Sequence, residues 1–194
     1  MQKRNMQDDK IITSDKIINT ALRTVMIFET ERLFVRKLQE SDELLFFELM
    51  SNPNVMNSIP QKPLNKTESI SKLAELISLE KSSYTKIWSL CEKDNNDLIG
   101  ICGVLKNDEN EDEIAYRIIE KFWGKGYGTE ITKGLINFCF TKMKSEIITA
   151  DVYVGNIKSV KILDKFFKIQ KEFYNTEDNC IDRRYFIRKE NWLI

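Results

Sequence analysis

Gly124, Gly126 and Gly128 stand at every second position between a strand pattern and a helix pattern, and this junction constrains the fold most. Upstream, Ile114, Tyr116 and Ile118 fall on one side of an extended segment, with Ala115, Arg117 and Ile119 on the other. Downstream, Ile131, Leu135, Phe138 and Cys139 recur at helical spacing. Thr129 and Glu130 fall in the first helical turn, where a hydroxyl and an acidic group suit free amides and the positive dipole end. Glycine lets a ligand approach the main chain closely, and first-turn N–H groups have no helical partner. The junction therefore reads as a cradle for a phosphate or pyrophosphate. An ordinary tight strand-to-helix turn is the alternative.

Two phosphate-binding patterns are missing. Lys125 is followed by Gly126, which breaks G-x-x-x-x-G-K-[ST]. Thr129 and Ile131 stand where the last glycine of G-x-G-x-x-G would fall. An NTPase and a Rossmann dehydrogenase are both disfavoured.

Chemistry is narrowed further by what the chain lacks. Its 194 residues hold no histidine, which removes His-based triads, His general bases and most zinc sites. Cys91, Cys102, Cys139 and Cys180 show no C-x-x-C spacing, so no metal site is expected. The first three sit in apolar runs as small buried hydrophobes, and reduced thiols point to a cytoplasmic protein. Thirty basic and thirty acidic residues cancel, so nothing draws the whole chain to nucleic acid or to an anionic membrane. No apolar run approaches 18 residues, and the first ten residues do not resemble a secretion signal.

The loop F-W-G-K-G-Y-G-T-E resembles the acyl-CoA loop of the GNAT superfamily of N-acetyltransferases, whose [Q/R]-x-x-G-x-[G/A] motif is met in its second half by Gly126-Tyr127-Gly128. Trp123 stands where Gln or Arg is usual, as in the branch that resembles ribosomal-protein N-terminal-alanine acetyltransferases. That branch also tends to carry E-T-E-R-L-x-x-R, matched by Glu29 to Arg36, and N-x-x-S, matched by Asn156-Ile157-Lys158-Ser159. The resemblance spans about residues 29 to 192. It departs at Leu163, where many members place an acidic tyrosine, and at Lys165-Phe166-Phe167-Lys168, which lacks the glycine of K-x-G-F. An irregular helix end is expected there.

Along the chain, residues 1–26 form an extension outside the pattern. Ile17, Ile18, Ala21, Leu22 and Val25 line one face of a helix opened by Ser14, or else Met26 is the true initiator. Residues 27–194 form the acetyltransferase-like domain. A first strand over 32–38 precedes a helix opened by Ser41-Asp42-Glu43 and stopped at Asn52-Pro53. Asn65 and Glu68 form a capping box for a helix with an apolar stripe of Ile70, Leu73, Ala74 and Ile77. Strands are expected at 86–92 and 98–105 around the turn 94–97, and Asp108 to Asp112 reads as a solvated hairpin tip. Strand 147–154, a helix over about 156–167 and a last hairpin (169–175 and 181–189) complete the order.

The order β-α-α-β-β-β-α-β-α-β-β gives an α/β (α+β) fold. The resemblance implies a mixed, mostly antiparallel central sheet with a splayed parallel strand pair and helices on both faces. The resemblance implies that acetyl-CoA lies in the splay as acyl donor, with no metal. Binding falls to the amides of Gly124, Lys125, Gly126, Tyr127, Gly128 and Thr129, to backbone groups near Ile118, and to Asn156 and Ser159. An N–H near Ile118 would polarise the thioester carbonyl. Asn156 serves equally well as a helix N-cap. Glu113 matches the position of the base glutamate in histone-type members of the superfamily, or is a surface charge beside Asp112; Tyr116 reads as a core or cleft-lining ring. The expected reaction moves an acetyl group to a primary amine, either a protein N-terminus or a small amine, with room for a homodimer. The rival reading is a non-catalytic acyl-CoA-binding or interaction protein of the same fold.

Overall fold

A computed structural model describes residues 26–94 and 96–192, so the helix expected over residues 14–25 lies outside the described residues. Eight strands form one sheet: β1 (Met26–Glu29), β2 (Leu33–Lys37), β3 (Lys86–Glu92), β4 (Leu98–Lys106), β5 (Asp112–Ile118), β6 (Ile147–Tyr153), β7 (Lys168–Asn175) and β8 (Cys180–Arg188). Their order is β1-β2-β3-β4-β5-β6-β8-β7. All neighbours are antiparallel except β5 and β6. β1 is an addition to the expected order. It is only four residues long and pairs with β2 across a two-stranded turn.

Among the described residues five α-helices cover the sheet: α1 (Glu43–Ser51), α2 (Pro53–Asn57), α3 (Lys66–Ser82), α4 (Tyr127–Phe138) and α5 (Ile157–Leu163). α2 is the second addition. Asn52 ends α1 and caps α2, accepting from Asn54 N at 2.8 Å, and Pro53 fits the first helical position. α4 and α5 close one core over Leu33, Ile99, Ile118, Leu135 and Tyr185; α1 to α3 close the other over Phe46, Leu49, Met56 and Leu98. Phe138 is half-buried and packs its ring on Phe28 at 4.9 Å and edge-on to Trp88 at 5.5 Å.

The Asn65 capping box forms with both halves: Glu68 N donates to Asn65 Oδ1 at 3.0 Å, and Asn65 N to Glu68 Oε2 at 2.8 Å. Asn65→Ala is expected to cost about 1 kcal/mol of stability in a urea melt. The stripe of α3 is rotated from the expected one. Ser69, Leu73 and Leu76 are buried, while Ile70 and Ala74 are exposed. All four cysteines are buried and free.

The two arginines of the E-T-E-R-L-x-x-R stretch do different work. Arg36 is buried and holds Asp42 bidentately (2.9 and 2.7 Å), with Ser89 Oγ donating to the same carboxylate at 2.8 Å. This ties β2 to the start of α1 and to β3. Arg32 acts at the loop before α4. At the missing glycine, α5 ends without a left-handed residue. Phe166 N and Phe167 N both bond Leu163 O (3.0 and 2.9 Å), a tightened turn in place of the usual one.

Candidate active site

The site begins where β5 and β6 part. They pair only at Asp112 with Ile148 and Glu113 with Thr149. Ile119 N donates to Ile99 O at 2.9 Å, which marks that position as a hydrogen-bonded pair. The alternation of antiparallel pairing therefore turns the backbone groups of Tyr116 and Ile118 away from β4 and into the gap. One of those groups is already taken: the Ile118 carbonyl accepts the Trp123 indole N–H at 2.8 Å. That bond gives Trp123 a function and leaves the Tyr116 groups and the Ile118 N–H directed at the gap.

Beyond β5 the chain turns through Gly124 (φ 78°) and Gly126 (φ 85°), left-handed conformations that favour glycine. Gly126 is the N-cap of α4 and has no side chain to fill the first-turn amides, so those of Tyr127, Gly128 and Thr129 remain open to an anion. Gly128 serves closeness instead. A Cβ there would lie 2.9 Å from Ile162 Cδ1 and 3.3 Å from Tyr116 Oη. Glu130, also in this turn, faces away from any anion. Its carboxylate accepts from Thr30 Oγ1 (2.6 Å), Arg32 N (2.7 Å) and Arg32 Nε (2.7 Å). Burial raises the Glu130 pKa, but these bonds outweigh it and hold the carboxyl below its usual range. Arg32 also donates to Lys125 O at 3.0 Å. The Thr30-Glu31-Arg32 stretch thus braces the cradle from nearly a hundred residues away.

Two cavities meet at the splay. The first, about 800 Å³, is lined by the cradle, Trp123, Asn156 and Ser159. Its charged side chains are Arg117, Lys158 and Lys161, with no carboxylate among the described residues. The second, about 700 Å³, runs along β5, β6 and the β7–β8 turn, where six carboxylates face three cations. Tyr116, Arg117, Asn156 and Ser159 line both, together with Ser58 and Ile59.

Asn156 caps α5, with Ser159 N donating to its Oδ1 at 3.2 Å, so the side-chain group it offers a ligand is its NH2. Tyr116 is the expected cleft-lining ring, but its hydroxyl is buried beside Ser159 and Thr132 without a hydrogen-bond partner. Burial raises its pKa and keeps the hydroxyl protonated. Leu163 is buried on the second cavity and carries no acid.

Asp112 and Glu113 are neighbours with opposite fates, because a strand sends them to opposite faces. Asp112 is buried, yet Lys106 (2.8 Å), Ser145 (2.5 Å) and Tyr84 (2.6 Å) outweigh desolvation and hold it ionised. Glu113 is half-buried and lines the second cavity. Burial, then the nearby charge of Asp151, pushes its carboxyl up to about 7. The expected hairpin tip is exposed at Asp108, Glu109 and Asn110, and two of its carboxylates are also paired. Arg184 pairs with Asp108 and holds Asp151 bidentately (2.8 and 2.7 Å), and Lys171 reaches Glu109 at 2.7 Å. These cross-strand pairs, the Thr30–Arg32–Glu130 brace and the surroundings of Arg117 carry no local signal in the sequence.

A family model described as "Acetyltransferase (GNAT) domain" matches residues 32–166. Among curated proteins, the chain is 30% identical over 148 residues to the uncharacterized N-acetyltransferase p20 of Bacillus licheniformis, covering 74% of this chain and 82% of that protein. It is 28% identical over 149 residues to the uncharacterized N-acetyltransferase YoaA of Bacillus subtilis, covering 75% and 84%. Among solved structures, a GNAT-family acetyltransferase from Bacillus anthracis superposes with a TM-score of 0.73 at 22% identity, over 84% of this chain and 98% of the other. RimL, a ribosomal L7/L12 alpha-N-protein acetyltransferase solved with coenzyme A, superposes with a TM-score of 0.72 at 17% identity, over 86% and 99%. At those identities the two structures establish the fold alone.

Proposed function

We propose, from the premise that this chain belongs to the GNAT acetyltransferase family and is an N-acetyltransferase, that it moves an acetyl group from acetyl-CoA to a primary amine. The observation that supports this reading is the division of charge between the two cavities. A cleft with cations and no carboxylate suits a polyanionic donor, and the adjoining acidic one suits a cationic amine.

Acetyl-CoA supplies the acyl group and a thiol leaving group. The open amides from Gly124 to Thr129 would hold its diphosphate, with Lys158 and Lys161 near. The Tyr116 groups and the Ile118 N–H would bond the pantetheine arm as a strand bonds its neighbour, and an N–H there would polarise the thioester carbonyl. The Asn156 NH2 and Ser159 line the same passage. An amine near pH 7 is largely protonated, so Glu113 would take its proton, directly or through water. The nitrogen then bonds to the carbonyl carbon, the C–S bond breaks and the thiolate leaves with a proton. Leu163 offers none; the partnerless Tyr116 hydroxyl lies closest to that role.

Acetyl-CoA at about a hundred times its dissociation constant should add roughly 2.7 kcal/mol of apparent stability in a thermal-shift series. Absence of any shift would remove the donor assignment. Thiol release over a panel of primary amines tests transfer, and binding with no release on any amine would contradict the amine acceptor.

A further inference from the structure

Half-buried Arg117 is out of keeping with the two buried arginines. Arg36 and Arg184 each grip a carboxylate with two nitrogens. Arg117 Nη1 lies against the sulfurs of Met50 (3.3 Å) and Met56 (3.2 Å), and Nη2 donates to Gln61 Oε1 at 3.2 Å. Its Nε is buried with no partner. Thioethers are weak acceptors, and a guanidinium carries five donors and stays charged. No carboxylate reaches Arg117 within ion-pair distance among the described residues. The anion whose charge acts on it, Asp178, is held one step away, where Gln61 Nε2 donates to it at 3.2 Å. A half-buried guanidinium with a buried, unpartnered Nε and no counter-charge has donors left over for a ligand.

Its place in the site says which ligand. Arg117 lines both cavities at their junction and shares the β5 face with Glu113. Their backbones lie about 13 Å apart along the strand.

We propose that Arg117 binds a carboxylate of the acceptor, so that the substrate is a primary amine bearing a carboxylate within a few bonds of its nitrogen. The inference rests on the acetyl-transfer reading above and extends it to the acceptor's second charge. Guanidinium geometry matches a carboxylate through two parallel hydrogen bonds. Gln61 is placed to release Arg117 and keep Asp178 when that carboxylate arrives. The amine sits on the Glu113 side and the carboxylate on the Arg117 side. A free amino acid and a peptide with an acidic residue next to its N-terminus share this chemistry.

Matched acceptor pairs decide the matter. β-Alanine against β-alaninamide tests the free acid. Ser-Asp-Ala-amide against Ser-Asn-Ala-amide tests the peptide source. Thiol release and calorimetric binding to the CoA-loaded protein are read for the wild type, Arg117→Met and Arg117→Lys. The carboxylate member of at least one pair should be preferred at least tenfold in kcat/KM, mainly through KM. The preference should fall to near unity in Arg117→Met and to an intermediate value in Arg117→Lys. A purely structural Arg117 would lower both members of a pair together and leave their ratio intact, which would overturn the inference. So would equal use of both members by the wild type, failure of every carboxylate member to bind, or a loss of acetyl-CoA affinity in Arg117→Met equal to the loss on the acceptor. Turnover of the amides alone would leave acetyl transfer standing and remove only the role of Arg117. Absence of acetyl-CoA binding would instead remove the donor reading.

Discussion

Gly126→Val is expected to weaken acetyl-CoA binding by about 100-fold or more, roughly 2.7 kcal/mol. The cause is conformational and not one of crowding. A Cβ at Gly126 would meet only Arg32 Nη2, at an ordinary 3.4 Å. The residue holds φ at 85°, however, and a β-branched side chain there costs of the order of 1–3 kcal/mol. The loop relieves this by rotating, and the amides that converge on the diphosphate lose their common direction. Calorimetry with acetyl-CoA reads the affinity, and a urea melt verifies that the variant is folded. Affinity within threefold of the wild type would take this loop out of the donor site.

Glu113→Gln is expected to lower kcat by about 100-fold or more at pH 8 while leaving acetyl-CoA affinity intact, the usual scale for loss of a general base. The pH dependence separates this from a packing defect. The carboxyl lies near 7 in the folded protein against an ordinary 4.5, because burial and Asp151 disfavour its charge. The basic form therefore appears as pH rises through about 7, and kcat of the wild type should rise with it. Stability runs the other way. Between about 4.5 and 7 the folded state binds the proton that the unfolded state has lost, so stability falls as pH rises through that window, by roughly 3 kcal/mol in all. The glutamine variant should lose the limb in kcat and, by pH 8, should be the more stable protein by up to that amount. Steady-state rates from pH 5.5 to 9 and urea melts at pH 5 and 8 supply both readings. An unchanged rate would exclude Glu113 as the base, whatever its titration.

The features legible in the sequence are those whose causes are local. The Asn65–Glu68 box is written in four residues, and both of its bonds form. The strand, glycine loop and helix of the cradle follow one another without a long-range partner, and the parallel pair beside them follows from the family resemblance. What escaped is non-local. β1 is four residues at the sheet edge and exists through its pairing with β2. The α3 stripe is offset because Ser69 and Leu76 meet the core where Ile70 and Ala74 were expected, and a serine gives no apolar signal. Glu130 reads as a dipole partner of its own helix, but its strongest bonds run to Thr30 and Arg32. Arg117 reads as one more charge on a strand. Only the surroundings that deny it a carboxylate set it apart.

The burial of every cysteine has a kinetic consequence. A thiol reacts with a maleimide through its thiolate, and burial pushes Cys91 and Cys139 up to about 12 and Cys180 up to about 11, with Cys102 raised as well. In the native protein these groups are both shielded and protonated. The fold must open locally before one of them is modified, so the rate of labelling counts openings of the strand or helical turn that holds it. Coenzyme A set free in solution has neither protection. A thiol reagent added to the working enzyme therefore records turnover on a fast scale and local opening of the fold on a slow one, in a single progress curve.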